Sequence, residues 1–302
     1  MVTGELPEGV KSQEIKEAWD SSEVNFEAAS EIVQKLPNEE LFGPSGILEF
    51  VTADLIEKDP AGRGLHTAQV VAIVERSLDK PQEEYTAEDK LLLLAALFHD
   101  VDKDATTPEF LASHAYLSAT AVAPYLADLP LSLSTEDKTL LGLYLARIVE
   151  THSDIPYIQG PNLMTSLNQI TAKTAGTAPR LIVDAETSPH LPGHGDLEAP
   201  EDQILAQKLR AADTLSNYGL IFDLETKHPK SLEAMQELPE VRFAGFLKLV
   251  NLYDDFSQAL TSIRESAKQA IEAGIYDVDP WMREQAKTSL TKMASLQSLS
   301  DL

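Results

Sequence analysis

The feature that most constrains this chain is the apolar run LLLLAALF at residues 91–98, which leads directly into His99-Asp100. Thr86 precedes the run and suits the N-cap position of a helix. We therefore predict a helix that starts after Thr86 and becomes apolar on every side. Such a helix has no face suited to water and lies in the centre of a protein. Other elements must surround it, and the His-Asp pair must lie at the edge of that core.

The segments on both sides of this run also have helical patterns. They are rich in Ala, Leu, Glu and Lys, whereas the 14 Gly and 17 Pro of the 302 residues cluster between them. We predict an all-α fold, with one or two amphipathic helices over 12–36, the second of them capped by Ser22. Further helices are predicted at 47–58, 63–78, 86–98, 107–126, 134–152 and 201–218, and two more in the C-terminal part on either side of 274–280.

The clusters of Pro and Gly suggest three parts of the chain. We expect an N-terminal helical extension at 1–45, a core at 46–220 and a C-terminal helical extension at 221–302. Residues 153–200 interrupt the core with many Pro and Gly, and we predict a long loop or lid there, a kind of segment that is often functional. For the extensions we expect packing around the core or a homodimer interface.

The charge of the chain limits its partners. Its 49 acidic and 24 basic residues give a net charge of −25, and such a field repels nucleic-acid backbones and anionic membranes. We expect no long nucleic acid and no membrane as partner. The longest apolar run is too short to span a bilayer, and no cysteine is present for disulfides or thiolate zinc sites. Because the N-terminus also lacks a signal-peptide pattern, we expect a soluble, cytoplasmic protein.

Several imidazoles and carboxylates fall where helical periodicity turns them toward the core. His66, His152 and Asp213 each share a helix face with aliphatic residues, and His99-Asp100 ends the apolar helix. Taken singly, an inward histidine is more often a hydrogen-bonded core residue than a ligand. A buried carboxylate, however, is costly unless it is paired or bound to a metal. Convergence of these groups on one cation would meet that cost, and mixed nitrogen and oxygen ligands suit iron, manganese, zinc or nickel.

The order of these residues resembles the H…HD…D signature of the HD-domain metal-dependent phosphohydrolases. The segments RGLHT at 63–67, LFHDVDKD at 97–104 and LRAADTL at 209–215 resemble the R-x-x-H-S/T, L-x-H-D-x-x-K and A-D-x-L elements of that family. The resemblance covers about residues 46–220 and implies an HD-domain helical bundle. The implied activity is hydrolysis of a phosphate ester by a metal-activated water. The implied substrate is a nucleotide or another small phosphorylated metabolite.

Two further segments resemble those HD members that hold two metal ions, namely SHAYLSA at 113–119 and ETH at 150–152. The resemblance therefore implies one or two divalent ions, of Fe, Mn, Ni, Co or Zn. The implied ligands are His66, His99, Asp100 and Asp213 for one ion, and Asp100, His114 and His152 for the other. Asp100 would be the bridge between the two ions, and such a pair stabilises both the attacking and the leaving oxygen.

The catalytic candidates are Asp100, Arg63 and Lys103. Arg63 and Lys103 lie beside implied ligands at helix boundaries, where a cation can bind phosphate oxygens. Weaker candidates for phosphate binding are Arg147, Lys208 and Arg210.

Two other functions are compatible with the same residues. Some HD proteins with six ligands are di-iron oxygenases, and substrate-dependent oxygen uptake would identify such an activity. Alternatively, the metal is structural and the extensions of a non-catalytic module bind a partner. That reading would gain if Lys103→Ala and Arg63→Ala left every measured property intact.

Overall fold

The computed structural model describes residues 21–58, 63–101, 108–152, 199–222, 243–251 and 253–302, together with Leu197 and Leu224. This part of the chain is all-α, as predicted, and contains no strand. Short 3-10 turns occur at Gln82–Glu84 and Leu299–Asp301. The α-helices in chain order are α1 (Phe26–Lys35), α2 (Asn38–Phe42), α3 (Ile47–Lys58), α4 (Arg63–Leu78), α5 (Ala87–Phe98), α6 (Pro108–Asp128), α7 (Thr135–Thr151), α8 (Pro200–Tyr218), α9 (Ala244–Val250), α10 (Phe256–Glu272) and α11 (Pro280–Met293).

Helix α5 is the centre of the fold. All of its residues from Asp89 to Phe98 are buried, and it contacts α1, α3, α4, α6, α7 and α8. Its start is fixed by a capping box, in which the backbone N–H of Asp89 donates to the Thr86 hydroxyl (3.3 Å) and that of Thr86 donates to the Asp89 carboxylate (2.6 Å). The prediction of a central helix that begins after Thr86 is confirmed.

Most predicted helix ends agree with the structure, and one predicted cap is wrong. The predicted helix at 134–152 begins after Ser134, whose hydroxyl accepts from the Asp137 N–H at 3.0 Å. Ser22, in contrast, does not cap α1. The Asn25 side chain holds that position because it lies directly before the first helical residue, and it accepts from the Ala28 N–H at 2.9 Å.

Helices α6 and α7 pack closely along their lengths. Gly142 permits this approach, since a Cβ at this position would lie 2.6 Å from the Cα of Ala123 on α6. The packing holds α7, and with it His152, which is the C-cap of that helix, against the core.

The C-terminal helices lie against the helices that carry His66 and Asp213. Helices α9, α10 and α11 all contact α8, and α9 and α11 also contact α4. The predicted helical stretches on either side of 274–280 are α10 and α11. A second apolar cluster joins these helices to the end of α8; its buried members are Leu220, Phe243, Phe246, Val250, Ala259, Leu260, Ile263, Ala267 and Met293.

The N-terminal helix α1 contacts α5 and α7. The predicted loop insertion at 153–200 lies almost entirely outside the described residues, and the domain boundaries at 45 and 220 stay predictions. Of the helices in the described ranges, none has the length and apolar character needed to cross a bilayer.

Candidate metal centre

Four predicted ligands meet at one end of the central helix. His66 lies in the first turn of α4, His99 and Asp100 follow the last residue of α5, and Asp213 belongs to α8. The two histidines and Asp100 are fully buried, and Asp213 is 6% exposed. Helices α4 and α8 both pack on α5, so their side chains converge where α5 ends.

The ligand atoms have the spacing of a metal coordination shell. His66, His99 and Asp100 each place one ligand atom within 4.8 Å of the others. The Nε2 atoms of the two histidines are 3.3 Å apart, and Asp100 Oδ2 lies 3.6 Å from each of them. Asp213 Oδ1 lies 2.9 Å from His66 Nε2 and 3.8 Å from His99 Nε2. Ligands held about 2.0–2.2 Å from one metal ion are themselves roughly 3–4 Å apart.

In both His66 and His99, Nδ1 donates a hydrogen bond. His99 Nδ1 lies 2.6 Å from the Ala96 carbonyl oxygen, which can only accept. His66 Nδ1 lies 3.0 Å from the Ser216 hydroxyl, whose own hydrogen is donated to Gln69 Oε1 at 3.0 Å. Both histidines therefore carry a proton on Nδ1, and in the neutral form of either ring the Nε2 lone pair points toward the carboxylates and the other imidazole.

This set of atoms needs a positive charge at its centre. Two imidazole lone pairs 3.3 Å apart beside two carboxylate oxygens repel each other. A proton can bridge only one pair, such as His66 and Asp213, and would leave His99 Nε2 facing another acceptor. A divalent cation would offset the repulsion among the ligand atoms of His66, His99 and Asp100, which lie within 4.8 Å of one another. The residues present therefore fit a metal ion of the kind that mixed imidazole and carboxylate ligands prefer.

The protonation states also favour metal binding. Burial lowers the pKa of His99 to about 4, and the nearby charge of Asp100 only partly offsets this effect. Burial by itself would raise the pKa of the Asp213 carboxyl, but the hydrogen bond with His66 and the nearby imidazoles outweigh burial and lower that pKa. At neutral pH His99 is therefore neutral and Asp213 ionised, which are the forms that bind a metal.

His152 borders this centre. It is fully buried, and its ring centroid lies 5.2 Å from that of His99, with the two rings nearly perpendicular. Its Nδ1 donates to the Val149 carbonyl, and in the neutral form of the ring Nε2 carries the lone pair. Neither His152 nor Asp213 is in the group of atoms within 4.8 Å, although Asp213 Oδ1 lies 2.9 Å from His66 Nε2. His114 belongs to α6, and its side chain lies outside the described part of the structure. The second set of ligands therefore stays a prediction.

The predicted phosphate-binding residues are only partly described. Arg63 is the first residue of α4, three positions before His66, but its side chain lies outside the described residues, as does the whole of Lys103. The weaker candidate Arg210 is 7% exposed on α8. The roles of Arg63 and Lys103 stay predictions.

The other two weaker candidates hold helices together. Arg147 donates to the Val24 carbonyl at 2.8 Å and to the Asp202 carboxylate at 3.0 Å. Lys208 pairs with Glu88 at 2.7 Å. Both cations therefore have anionic partners on other helices, and phosphate binding by these two residues stays a prediction.

Ser216 and Gln69 were missed by the sequence reasoning. Ser216 follows Asp213 by three residues on α8, and Gln69 follows His66 by three residues on α4. Residues three apart share a helix face, so this spacing was a usable signal for groups that support the ligands. Ser and Gln are both common in helices, so the sequence does not indicate their role unless the contact between α4 and α8 is known.

The fold and the site define an all-α protein with a buried centre suited to a divalent metal. The family model for the HD domain matches residues 63–218, more than half of the chain, so the chain belongs to the HD-domain family. No curated protein and no solved structure matches it. The match begins at Arg63 and ends at Tyr218, and it includes all the predicted ligands.

Proposed function

We propose that this protein hydrolyses a phosphate ester of a nucleotide or another small phosphorylated metabolite, using one or two divalent metal ions. Membership of the HD-domain family supports a metal-dependent hydrolase. The observation that carries the proposal is the pair of Nε2 atoms 3.3 Å apart, each on a histidine whose Nδ1 is held as a donor. Iron, manganese, nickel, cobalt and zinc all suit such ligands.

His66, His99, Asp100 and Asp213 would hold the first ion. When bound, such an ion supplies a Lewis acid that lowers the pKa of a water molecule and offsets charge on phosphate oxygens. The four side chains come from three helices that pack on one another, and this packing would keep the geometry of the site rigid. If His114 and His152 hold a second ion, Asp100 would be the ligand that both ions share.

Arg63 and Lys103 would bind the phosphate group. Arg63 opens α4, where backbone N–H groups without helical partners also favour an anion. Since the net charge of −25 repels polyanions, we propose a small substrate instead of a long nucleic acid. A homodimer remains our proposal for the assembly, and the cytoplasm for the location.

The test is phosphate release by the metal-loaded protein. The protein is stripped of metal, reloaded with Mn, Fe, Co or Ni, and assayed against a panel of nucleotides and small phosphoesters. We expect release with at least one compound, and its loss in Asp100→Ala. The matched control is Asp128→Ala, since Asp128 is an exposed aspartate at the end of α6 and its loss should leave the rate unchanged. A fully loaded protein that releases no phosphate from any compound contradicts the proposal.

The same preparations separate the alternatives. Substrate-dependent oxygen uptake by the iron-loaded protein would indicate an oxygenase. Unchanged properties in Arg63→Ala and Lys103→Ala would favour a structural metal. Metal content decides the number of ions: two equivalents per chain, reduced to one by His114→Ala or by His152→Ala, would support the second site.

A further inference from the structure

A hydrogen-bonded chain of buried groups runs from the metal centre to the C-terminal helices. The Ser216 hydroxyl lies 3.0 Å from His66 Nδ1 and 3.0 Å from Gln69 Oε1. The backbone N–H of Gly245, on α9, donates to the same Gln69 oxygen at 3.4 Å. His66, Gln69 and Ser216 are all 0% exposed. We call the His66 imidazole, the Ser216 hydroxyl, the Gln69 amide and the Gly245 N–H the His66 relay.

The backbone of α9 fixes the direction of every hydrogen bond in the His66 relay. A backbone N–H can only donate, so the Gln69 atom that faces Gly245 must be the amide oxygen. Because this oxygen accepts, the Ser216 hydroxyl must donate to it. The hydroxyl oxygen is then left to accept, and His66 Nδ1 must carry the proton. In the neutral ring, His66 Nε2 then carries the lone pair, which is directed at the metal centre.

Close packing of α9 on α8 makes this contact possible. A Cβ at Gly245 would lie 2.5 Å from the Ser216 carbonyl oxygen, so only glycine allows the α9 backbone to come this near. Helix α9 also contacts α4, which carries both His66 and Gln69. The backbone of the C-terminal part therefore completes the surroundings of a predicted ligand.

We propose that Ser216 and Gln69 are positioning residues that hold His66 with its proton on Nδ1, and that α9 completes this arrangement. Packing of the C-terminal helices and loading of the metal are then coupled. The inference rests on the metal site of the proposed function, but it does not depend on which reaction the protein catalyses. Groups that orient a ligating histidine in this way typically change metal affinity by about 10–100-fold when they are lost.

Metal affinity in a double-mutant cycle tests the His66 relay. The Kd for Co²⁺ is measured by calorimetry for the wild type, Ser216→Ala, Gln69→Met and the double variant. We expect each single change to raise Kd about 10-fold or more. Gln69→Met should have no further effect in the Ser216→Ala protein, because the two residues act through one hydrogen bond. The inference would be overturned if the fold-increase in Kd of the double variant equalled the product of the two single fold-increases. It would also be overturned if the single variants had the wild-type Kd.

Thr214→Val is the matched control for Ser216→Ala. Thr214 is also 0% exposed on α8, and its hydroxyl has no hydrogen-bond partner among the described residues. We expect this variant to keep the Kd of the wild type. Unfolding of each metal-free variant in urea shows whether it still folds, so that a lost hydrogen bond is not confused with a lost fold.

A second readout does not depend on affinity. In the zinc-loaded protein we expect an NMR signal from the His66 Nδ1–H that exchanges slowly with water in the wild type and in Thr214→Val. The Nδ1 hydrogen should exchange faster in Ser216→Ala. An exchange rate equal to that of the wild type would refute the proposed role of Ser216. If the relay variants weaken Co²⁺ binding as expected but the wild type releases no phosphate, only the proposed function is contradicted.

Gly245→Ala tests the part played by α9. The added methyl group pushes the α9 backbone away from Ser216, so we expect a higher Kd for Co²⁺. The control is Gly46→Ala, which introduces a similar close contact, 2.8 Å from the Leu41 carbonyl oxygen, in the turn before α3. If both variants bind Co²⁺ like the wild type, or if both lose affinity equally, α9 has no specific role.

Discussion

The pH dependence of stability of the metal-free protein should depend strongly on His99. Burial lowers the pKa of this imidazole from 6.5 to about 4 in the folded protein. Between these two values the unfolded chain binds a proton that the folded protein does not, so the free energy of unfolding falls as the pH falls. With these pKa values, the loss between pH 7 and pH 5 is about 2 kcal/mol from this one group.

The assay is urea unfolding of metal-free protein in a chelating buffer at pH 7 and at pH 5. In His99→Gln the side chain no longer titrates, so the variant should lose about 2 kcal/mol less than the wild type between the two pH values. The comparison concerns the change with pH, so a variant that is less stable at both values is still informative. Equal losses in the two proteins would show that burial does not lower the pKa of His99, and the reasoning would be wrong.

Two predictions concern the fold itself and use urea unfolding at pH 7. Tyr144→Phe removes the hydroxyl that donates to the buried Asp202 carboxylate at 2.8 Å, and we expect a loss of about 1–3 kcal/mol; a loss near zero would mean that Arg147 alone satisfies this carboxylate. Thr86→Ala removes the cap of α5 and should cost about 1 kcal/mol, whereas Thr86→Ser keeps the hydroxyl and should cost less. Equal costs for Thr86→Ala and Thr86→Ser would exclude the cap as the cause.

Local chemistry explains why so much of the fold could be predicted. The continuous burial of residues 89–98 follows from the apolar run, and Thr86 and Ser134 cap their helices through their own hydroxyls. Such signals need only a few neighbouring residues. The cap of α1 was mistaken because Ser22 and Asn25 are both good capping residues, and the choice between them depends on where the helix packs.

The site was predictable as a set of residues but not as a set of protonation states. Helical periodicity and the order of the motifs were enough to name His66, His99, Asp100 and Asp213. The proton on His66 Nδ1, in contrast, depends on a backbone N–H of α9, far along the chain. The helical periodicity of the sequence does not indicate such a contact. The same limit applies to Arg147, whose partner Asp202 is separated from it by 55 residues.

The net negative charge of the protein repels an anionic substrate, whereas a bound metal ion would attract it. At physiological ionic strength, charges separated by more than about 8 Å are largely screened, so the total of −25 weakens the approach but has little effect once a substrate is bound. With Asp100 and Asp213 both bound to it as carboxylates, a single divalent ion would only be neutralised. Attraction of a phosphate group then requires either a second ion or the nearby cations Arg63 and Lys103. If only one ion binds, Arg63→Ala and Lys103→Ala should therefore weaken substrate binding more than they would beside a two-metal centre.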